Sequence, residues 1–200
     1  LARVIAGLLP AAKGDVLLDG EALPAALTQR TPAQLRRIQL VFQSADTALN
    51  PRRSVASILG RPITLFHGAK GADLDRRVKR LLDLVQLNGL EKRYPQQLSG
   101  GQRQTVAIAR SLLLNPKIIM LDEPTAALGV AQTAEVLNLV ERVRDKGLGV
   151  IMISHNMEDV RAVADRIVVL RLGRNNGVFT PDASNQELVG AITGATDKAV

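Results

Sequence analysis

Residues Leu98 to Leu128 read LSGGQRQTVAIARSLLLNPKIIMLDEPTAAL, and the succession of textures in that stretch decides the fold: a glycine turn, a helix, a stop, an apolar strand and two acids. Ser99-Gly100-Gly101 precedes a segment in which Val106, Ile108, Ala109, Leu112 and Leu113 recur at helical spacing, so the turn opens a helix. Unbonded backbone N–H groups and the positive end of the helix dipole make such a terminus suitable for an anion. Glycine there lets the backbone approach a phosphate with no Cβ in the way. An isolated S-G-G is more often simply the start of a serine-capped helix.

After the stop signal Asn115-Pro116, the run Ile118-Ile119-Met120-Leu121 reads as a buried, parallel strand that ends in Asp122-Glu123-Pro124. Ligands of open α/β sheets bind at such strand ends. Neighbours along a strand point to opposite sides, which predicts separate roles for the two acids. One can hold Mg²⁺ while the other orients or deprotonates an attacking water. Alone, an apolar run ending in D-E is a common, merely solvated strand end.

Joined by one helix and a short turn, the two halves resemble the ATP-binding subunits of ABC transporters. LSGGQ at Leu98 to Gln102 is similar to the family signature, and IIMLDEPT at Ile118 to Thr125 to its Walker B strand. The resemblance implies an α/β fold, a P-loop NTPase-like core with a helical subdomain, here lacking the N-terminal strands and the P-loop. It implies ATP and Mg²⁺ as cofactors. It assigns Glu123 as general base or water-positioning residue, Asp122 to Mg²⁺, and Leu98, Ser99, Gly100, Gly101 and Gln102 to an ATP held by a second ATPase domain.

The rest of the chain is consistent with that resemblance. Two hundred residues, 46% apolar and 22% charged, suffice for a globular domain with a real core. No window of about 18 continuous apolar residues spans a bilayer, and no leader with a cleavage site opens the sequence. The absence of cysteine excludes disulfides and thiolate metal sites. A net charge of +7 raises the question of nucleic acid, but the basic residues are scattered and only three Phe and one Tyr are present to stack on bases.

In chain order, Leu1, Val4, Ile5 and Leu8 follow helical spacing up to Pro10. In the family such a segment follows the loop G-x-x-x-x-G-K-[ST]; these residues contain no such loop, and the chain is expected to be truncated just after its Walker A motif. Val16-Leu17-Leu18 with Asp19-Gly20 predicts a strand and hairpin, and Thr31-Pro32 opens a short helix through Arg37. The apolar run Ile38 to Phe42 ends at Gln43. A lone glutamine there is usually a surface amide, but the resemblance places Gln43 at the Q-loop, touching Mg²⁺ and the attacking water.

Ser54 to Phe66, interrupted by Pro62, and a basic helix with Leu74, Val78, Leu81, Leu82 and Val85 on one face predict a helical insertion. The expected domains are therefore 1–43, a partial ATPase core; 44–97, a helical subdomain; and 98–200, the signature helix, Walker B and the remaining core. By resemblance the insertion docks transmembrane permease subunits, with SADTALNPRRSV near the contact. A plain helical hairpin packed on the core is the alternative.

Ala126 to Gly129 occupies the place of the family's D-loop, with Gly129 where Asp is frequent. Val130 to Lys146 predicts an amphipathic helix with Val136, Leu137, Val140 and Val143 inward and Gly147 at its end. Val150 to Ile153 predicts another buried strand. His155 follows it, and as a lone signal is most often structural; the resemblance makes it the switch histidine on the γ-phosphate. Asn156 suits an N-cap. Asp165 to Leu170 predicts a strand, Gly173 to Gly177 a turn, and Ser184 with Glu187 a capping box on the last helix.

Two branches of the family are mixed here. Leu1 to about Tyr94 resembles peptide or nickel importer ATPases, and Leu98 onward resembles monosaccharide importer ATPases. Both imply import of a solute, with permease subunits, a second ATPase domain and, indirectly, a solute-binding protein as partners, no nucleic acid, and a peripheral place on the cytoplasmic face of the membrane. Without its Walker A, the chain alone is expected to bind ATP poorly. The alternatives are a catalytically incompetent partner-docking fragment and a soluble, non-transport ABC ATPase.

Overall fold

The computed structural model describes residues 1–43 and 48–195. It contains two compact units, Leu1–Ile153 and Ser154–Val200. Among the described residues no helix is long and apolar enough to cross a membrane.

The first unit is built on a parallel sheet of three strands, β3 (Ile38–Val41), β4 (Ile118–Asp122) and β5 (Gly149–Ile153), in the order β3-β4-β5. In register, Val41 lies opposite Leu121, and Asp122 opposite Ile153. The central strand buries Ile119, Met120 and Leu121 almost completely, as a strand covered on both faces should. Before the sheet, helix α1 (Ala2–Ile5) and the hairpin β1 (Leu17–Leu18)–β2 (Glu21–Ala22) surround a cluster of Leu18, Leu23, Ile38 and Met120. Asp19 and Gly20 turn the hairpin with positive φ at both positions, 54° and 80°, the geometry that favours Asp-Gly.

Helix α1 is shorter than the apolar spacing predicts. Gly7, at φ 78°, ends it, and Leu8 and Leu9 are exposed. Arg30 closes that end, donating from Nη1 to the Ile5 carbonyl at 2.8 Å and from Nε to the Pro24 carbonyl at 2.9 Å.

Helix α2 (Pro32–Arg37) begins where Thr31-Pro32 predicts. Thr31 Oγ1 accepts from the Gln34 N–H at 3.2 Å, and Gln34 Oε1 accepts from the Thr31 N–H at 3.0 Å. Thr31→Ala removes half of this box. The expected loss is about 1 kcal/mol, read as a lower urea midpoint with an unchanged slope.

Helices α3 (Val55–His67) and α4 (Gly71–Leu84) follow as two amphipathic segments in contact with each other. Helix α3 runs through Pro62 instead of breaking there. An internal proline costs about 3 kcal/mol. The burial of Val55, Ile58, Leu59 and Ile63, at roughly 1.5–3 kcal/mol each, outweighs it.

Helix α5 (Gly100–Leu112) precedes β4, and α6 (Val130–Asp145) connects β4 to β5. The inward face of α6 uses Val136, Leu139, Val140 and Val143; Leu139, not Leu137, fills the position between them. Gly147, at φ 84°, ends it.

Strand β5 departs from the expected buried strand. Its residues alternate between exposed and half-buried, with Ile151 at 41% and Ile153 at 37% exposure. Among the described residues it pairs with β4 alone, leaving the other edge open.

In the second unit, helix α7 (Met157–Val163) is followed by strands β6 (Ile167–Arg171) and β7 (Arg174–Phe179) and helix α8 (Asn185–Thr193). Val169, Leu188 and Ala191 form its core. The predicted turn over Gly173 to Gly177 is instead a two-residue turn, Leu172-Gly173, followed by a strand. RNNGVF has few strand formers, and the pairing with β6 supplies what propensity does not. The capping box of Ser184 and Glu187 forms as expected.

Candidate functional site

At the C-terminal end of the parallel sheet, β4 delivers Asp122 and then Glu123, and β3 runs out through Phe42 to Gln43. Both acids are half-buried and Gln43 is exposed. The parallel register brings the three to one end of the sheet, the place where open α/β sheets take ligands.

The reason Asp122 and Glu123 differ is not the strand alternation expected above. The strand stops at Asp122. Glu123 lies in left-handed backbone at φ 50°, a region costly for a residue other than glycine. Its N–H donates to the Ile153 carbonyl at 2.9 Å, and the residue that follows it, Pro124, is fully buried with its φ fixed by the ring. The chain therefore turns at Glu123 while tied to the neighbouring strand. Strain of this kind is held only where surrounding structure over-determines it.

Ser99 is the N-cap of α5, as the bland reading of S-G-G requires. Its Oγ accepts from the Gln102 N–H at 3.1 Å, while Gln102 Oε1 accepts from the Ser99 N–H at 3.0 Å. The Ser99 hydroxyl proton and the Gln102 amide N–H₂ keep their donor capacity. Leu98 is 5% exposed, so it can offer a ligand little beyond its backbone.

The glycines have a packing role that spacing did not reveal. A Cβ at Gly101 would lie 3.0 Å from Gln132 Cβ and 3.4 Å from its Cα, and one at Gly100 would lie 3.1 Å from Leu128 Cδ2. They admit the close approach of α6 to the first turn of α5. Only the tertiary arrangement shows this, because Gln132 lies in another element.

His155 belongs to the second unit and is exposed. Next to it Asn156 caps α7, its Oδ1 accepting from the Glu158 N–H at 3.0 Å. Among the described residues no group of three or more His, Cys, Asp and Glu side chains could hold a metal. The donor set that is present, one or two carboxylates and an amide oxygen at a strand end, suits a cation that keeps water and phosphate in its shell. Mg²⁺ is such a cation.

A family profile described as ABC transporter matches residues 1–126. The oligopeptide transport ATP-binding protein OppF of Escherichia coli (strain K12) is 38% identical over 175 residues, covering 86% of this chain and 52% of that protein. The sulfate/thiosulfate import ATP-binding protein CysA of Mesorhizobium japonicum is 38% identical over 186 residues, covering 91% and 52%. The chain thus spans about half the length of the curated relatives it matches. Among solved structures, an ATP-binding cassette in a dimeric, post-hydrolysis state bound to ADP and Pi superposes with a TM-score of 0.74 at 26% identity, over 92% of this chain and 80% of that one. The acidic strand end, the capped glycine turn, the parallel α/β sheet and these likenesses agree: the chain belongs to the ABC transporter family.

Proposed function

We propose that this chain supplies half-sites for MgATP hydrolysis in an importer-type ABC ATPase. The observation that carries the proposal is the pairing, at one end of the sheet, of Asp122 in strand geometry with Glu123 held in strained left-handed backbone beside it. Asp122, with the Gln43 amide oxygen, is the Mg²⁺ ligand. Glu123 aligns the attacking water and accepts its proton as the water oxygen bonds to the γ-phosphorus and the bond to the ADP oxygen breaks. Gln43 orients the same water, and His155 contacts the γ-phosphate. Bound Mg²⁺ neutralises phosphate charge, and the remaining catalysis is positioning.

Leu98 to Gln102 serve an ATP held by a second ATPase domain, through the α5 N-terminus, the Ser99 hydroxyl and the Gln102 amide. Helices α3 and α4 form the subdomain that docks permease subunits; residues 44–47, the first part of the expected contact, lie outside the described residues. The complex works at the cytoplasmic face of the membrane as a peripheral assembly with no nucleic-acid partner, and a solute-binding protein acts only through the permease. Relatives named for oligopeptides and for sulfate/thiosulfate support import as the general role. Peptide, nickel or sugar remains a matter for the permease.

The phosphates need a cradle of backbone N–H groups, and no G-x-x-x-x-G-K-[ST] occurs in these residues. The 200 residues alone are therefore expected to bind MgATP weaker than micromolar and to turn over almost none. Joined to a phosphate-binding loop, the chain is expected to hydrolyse MgATP and to stop when Mg²⁺ is chelated. A folded, joined chain without Mg²⁺-dependent hydrolysis overturns the proposal.

A further inference from the structure

Along the chain the basic residues are scattered, but their balance is uneven: residues 44–97 hold ten Lys and Arg against five Asp and Glu, so the helical insertion carries +5 of the net +7. The fold concentrates this charge further. Ahead of α3, Asn50 Oδ1 accepts from the Arg52 N–H at 3.0 Å and the Asn50 carbonyl from the Arg53 N–H at 3.1 Å. After α4 a second turn is closed by the Arg93 N–H on the Leu90 carbonyl at 3.0 Å. The two turns are joined: the Val55 N–H donates to the Arg93 carbonyl at 2.8 Å and the Ala56 N–H to the Glu91 carbonyl at 2.9 Å. Arg52-Arg53 and Lys92-Arg93 thereby meet at one corner of the insertion, and all four side chains are exposed.

None of the four has an ion-pair partner among the described residues, the half-buried Glu91 included. In α4, by contrast, Arg76 and Arg77 close on Asp73 at 3.4 and 3.0 Å. Cations gathered without carboxylates repel one another, so the corner is not there for stability; it suits an anion from outside. The first N–H groups of α3 are already taken, that of Ser57 by Ser54 Oγ at 3.3 Å. What the corner offers is side-chain charge on a fixed backbone, not an N–H cradle for one small anion. Tyr94, next to Arg93 and 45% exposed, adds a ring with a polar tip, a residue type enriched where membrane meets water. A cluster of exposed Lys and Arg in which each cation adds its own attraction is how a protein holds an anionic bilayer.

We propose that the corner formed by Arg52, Arg53, Lys92, Arg93 and Tyr94 contacts anionic phospholipid headgroups at the membrane surface. The proposal rests on the reading of the chain as a membrane-peripheral ATPase and deepens it, naming a lipid contact that the chain makes itself, apart from the permease.

The test uses the 200-residue chain without nucleotide, sedimented with vesicles of POPC alone or of POPC with about 30 mol% POPG at about 0.1 M salt, where surface charge still acts over about 10 Å. Binding is expected with POPG only, and is expected to be lost at about 1 M salt. Arg52→Gln, Arg53→Gln, Lys92→Gln and Arg93→Gln together are expected to lower the vesicle partition coefficient at least about tenfold. Lys13→Gln, Lys146→Gln, Arg166→Gln and Arg174→Gln together remove as many exposed cations elsewhere and are expected to lower it no more than about threefold. Arg52→Lys with Arg53→Lys is expected to bind like the parent, since headgroup attraction needs the charge and not the guanidinium fork. Equal binding to POPC, equal losses in the two quadruple variants, or a loss in the Lys variant as great as that in the first quadruple variant overturns the proposal. No binding to POPG vesicles also overturns it and leaves the corner to an acidic protein segment. Should the first quadruple variant not fold, Arg52→Gln with Arg53→Gln, expected to lower the coefficient at least about threefold, is judged against Lys146→Gln with Arg174→Gln. Sedimentation needs no ATP, so failure of the hydrolysis reading leaves this result standing, and failure here leaves that reading to its own assay.

Discussion

Glu123→Gln is expected to lower kcat for MgATP about 10²–10⁴-fold in the chain joined to a phosphate-binding loop, with KM changed no more than a few-fold. The amide matches the carboxylate in shape and retains one oxygen, so packing and water contact persist. It cannot take the proton that the water must lose. The backbone at φ 50° strains Gln as it strains Glu, so the fold should tolerate the exchange. Steady-state hydrolysis together with nucleotide binding separates the outcomes. Full activity in Glu123→Gln removes the base assignment, and lost binding points to a role in holding the nucleotide. Asp122→Asn should behave differently, raising the Mg²⁺ concentration needed for half-maximal rate, because it weakens a hard-cation ligand.

Gly101→Val is expected to destabilise the chain by about 1–3 kcal/mol, the usual cost of forcing extra atoms into a packed contact. The new Cβ would stand 3.0 Å from Gln132 Cβ and 3.4 Å from Gln132 Cα. Backbone cannot swing aside, so α5 and α6 must part. At roughly 2–4 °C per kcal/mol for a chain of this size, thermal unfolding resolves the effect. Gly100→Ala supplies the contrast. Its Cβ would meet only the tips of Leu128 and Gln132, at 3.1 and 3.2 Å, which can rotate away, and alanine gains about 0.5–1 kcal/mol of helix propensity. A near-neutral Gly100→Ala beside a damaging Gly101→Val identifies close packing as one reason for glycine here. Equal, negligible effects would leave phosphate approach as the sole reason.

Local chemistry was legible wherever one segment contained both partners. The helix start at Thr31-Pro32, the Ser99 cap, the Ser184–Glu187 box and the Asp19-Gly20 turn all formed as read, since each is a short-range hydrogen bond or a local dihedral preference; the reciprocal bonds from Gln34 and Gln102 were not read from the sequence. The apolar run of β4 was legible for a similar reason: a strand buried on both faces has no polar positions to confuse the period. The same run misled at β5, whose Val-Ile-Met-Ile is equally apolar yet pairs with one neighbour among the described residues. Strand β7 was missed because its sequence has little strand preference of its own, and pairing with β6 supplied it.

By itself the sequence determined the order of the elements up to β6, the acids at a strand end, the capped glycine turn and the family they resemble, because each is written in residues adjacent along the chain. Tertiary structure alone decided that Glu123 leaves the strand in left-handed backbone anchored to Ile153, that Gly101 makes room for Gln132, and that Arg52-Arg53 meets Lys92-Arg93. Each of those depends on a contact with a distant segment, whose distance and direction no local period encodes.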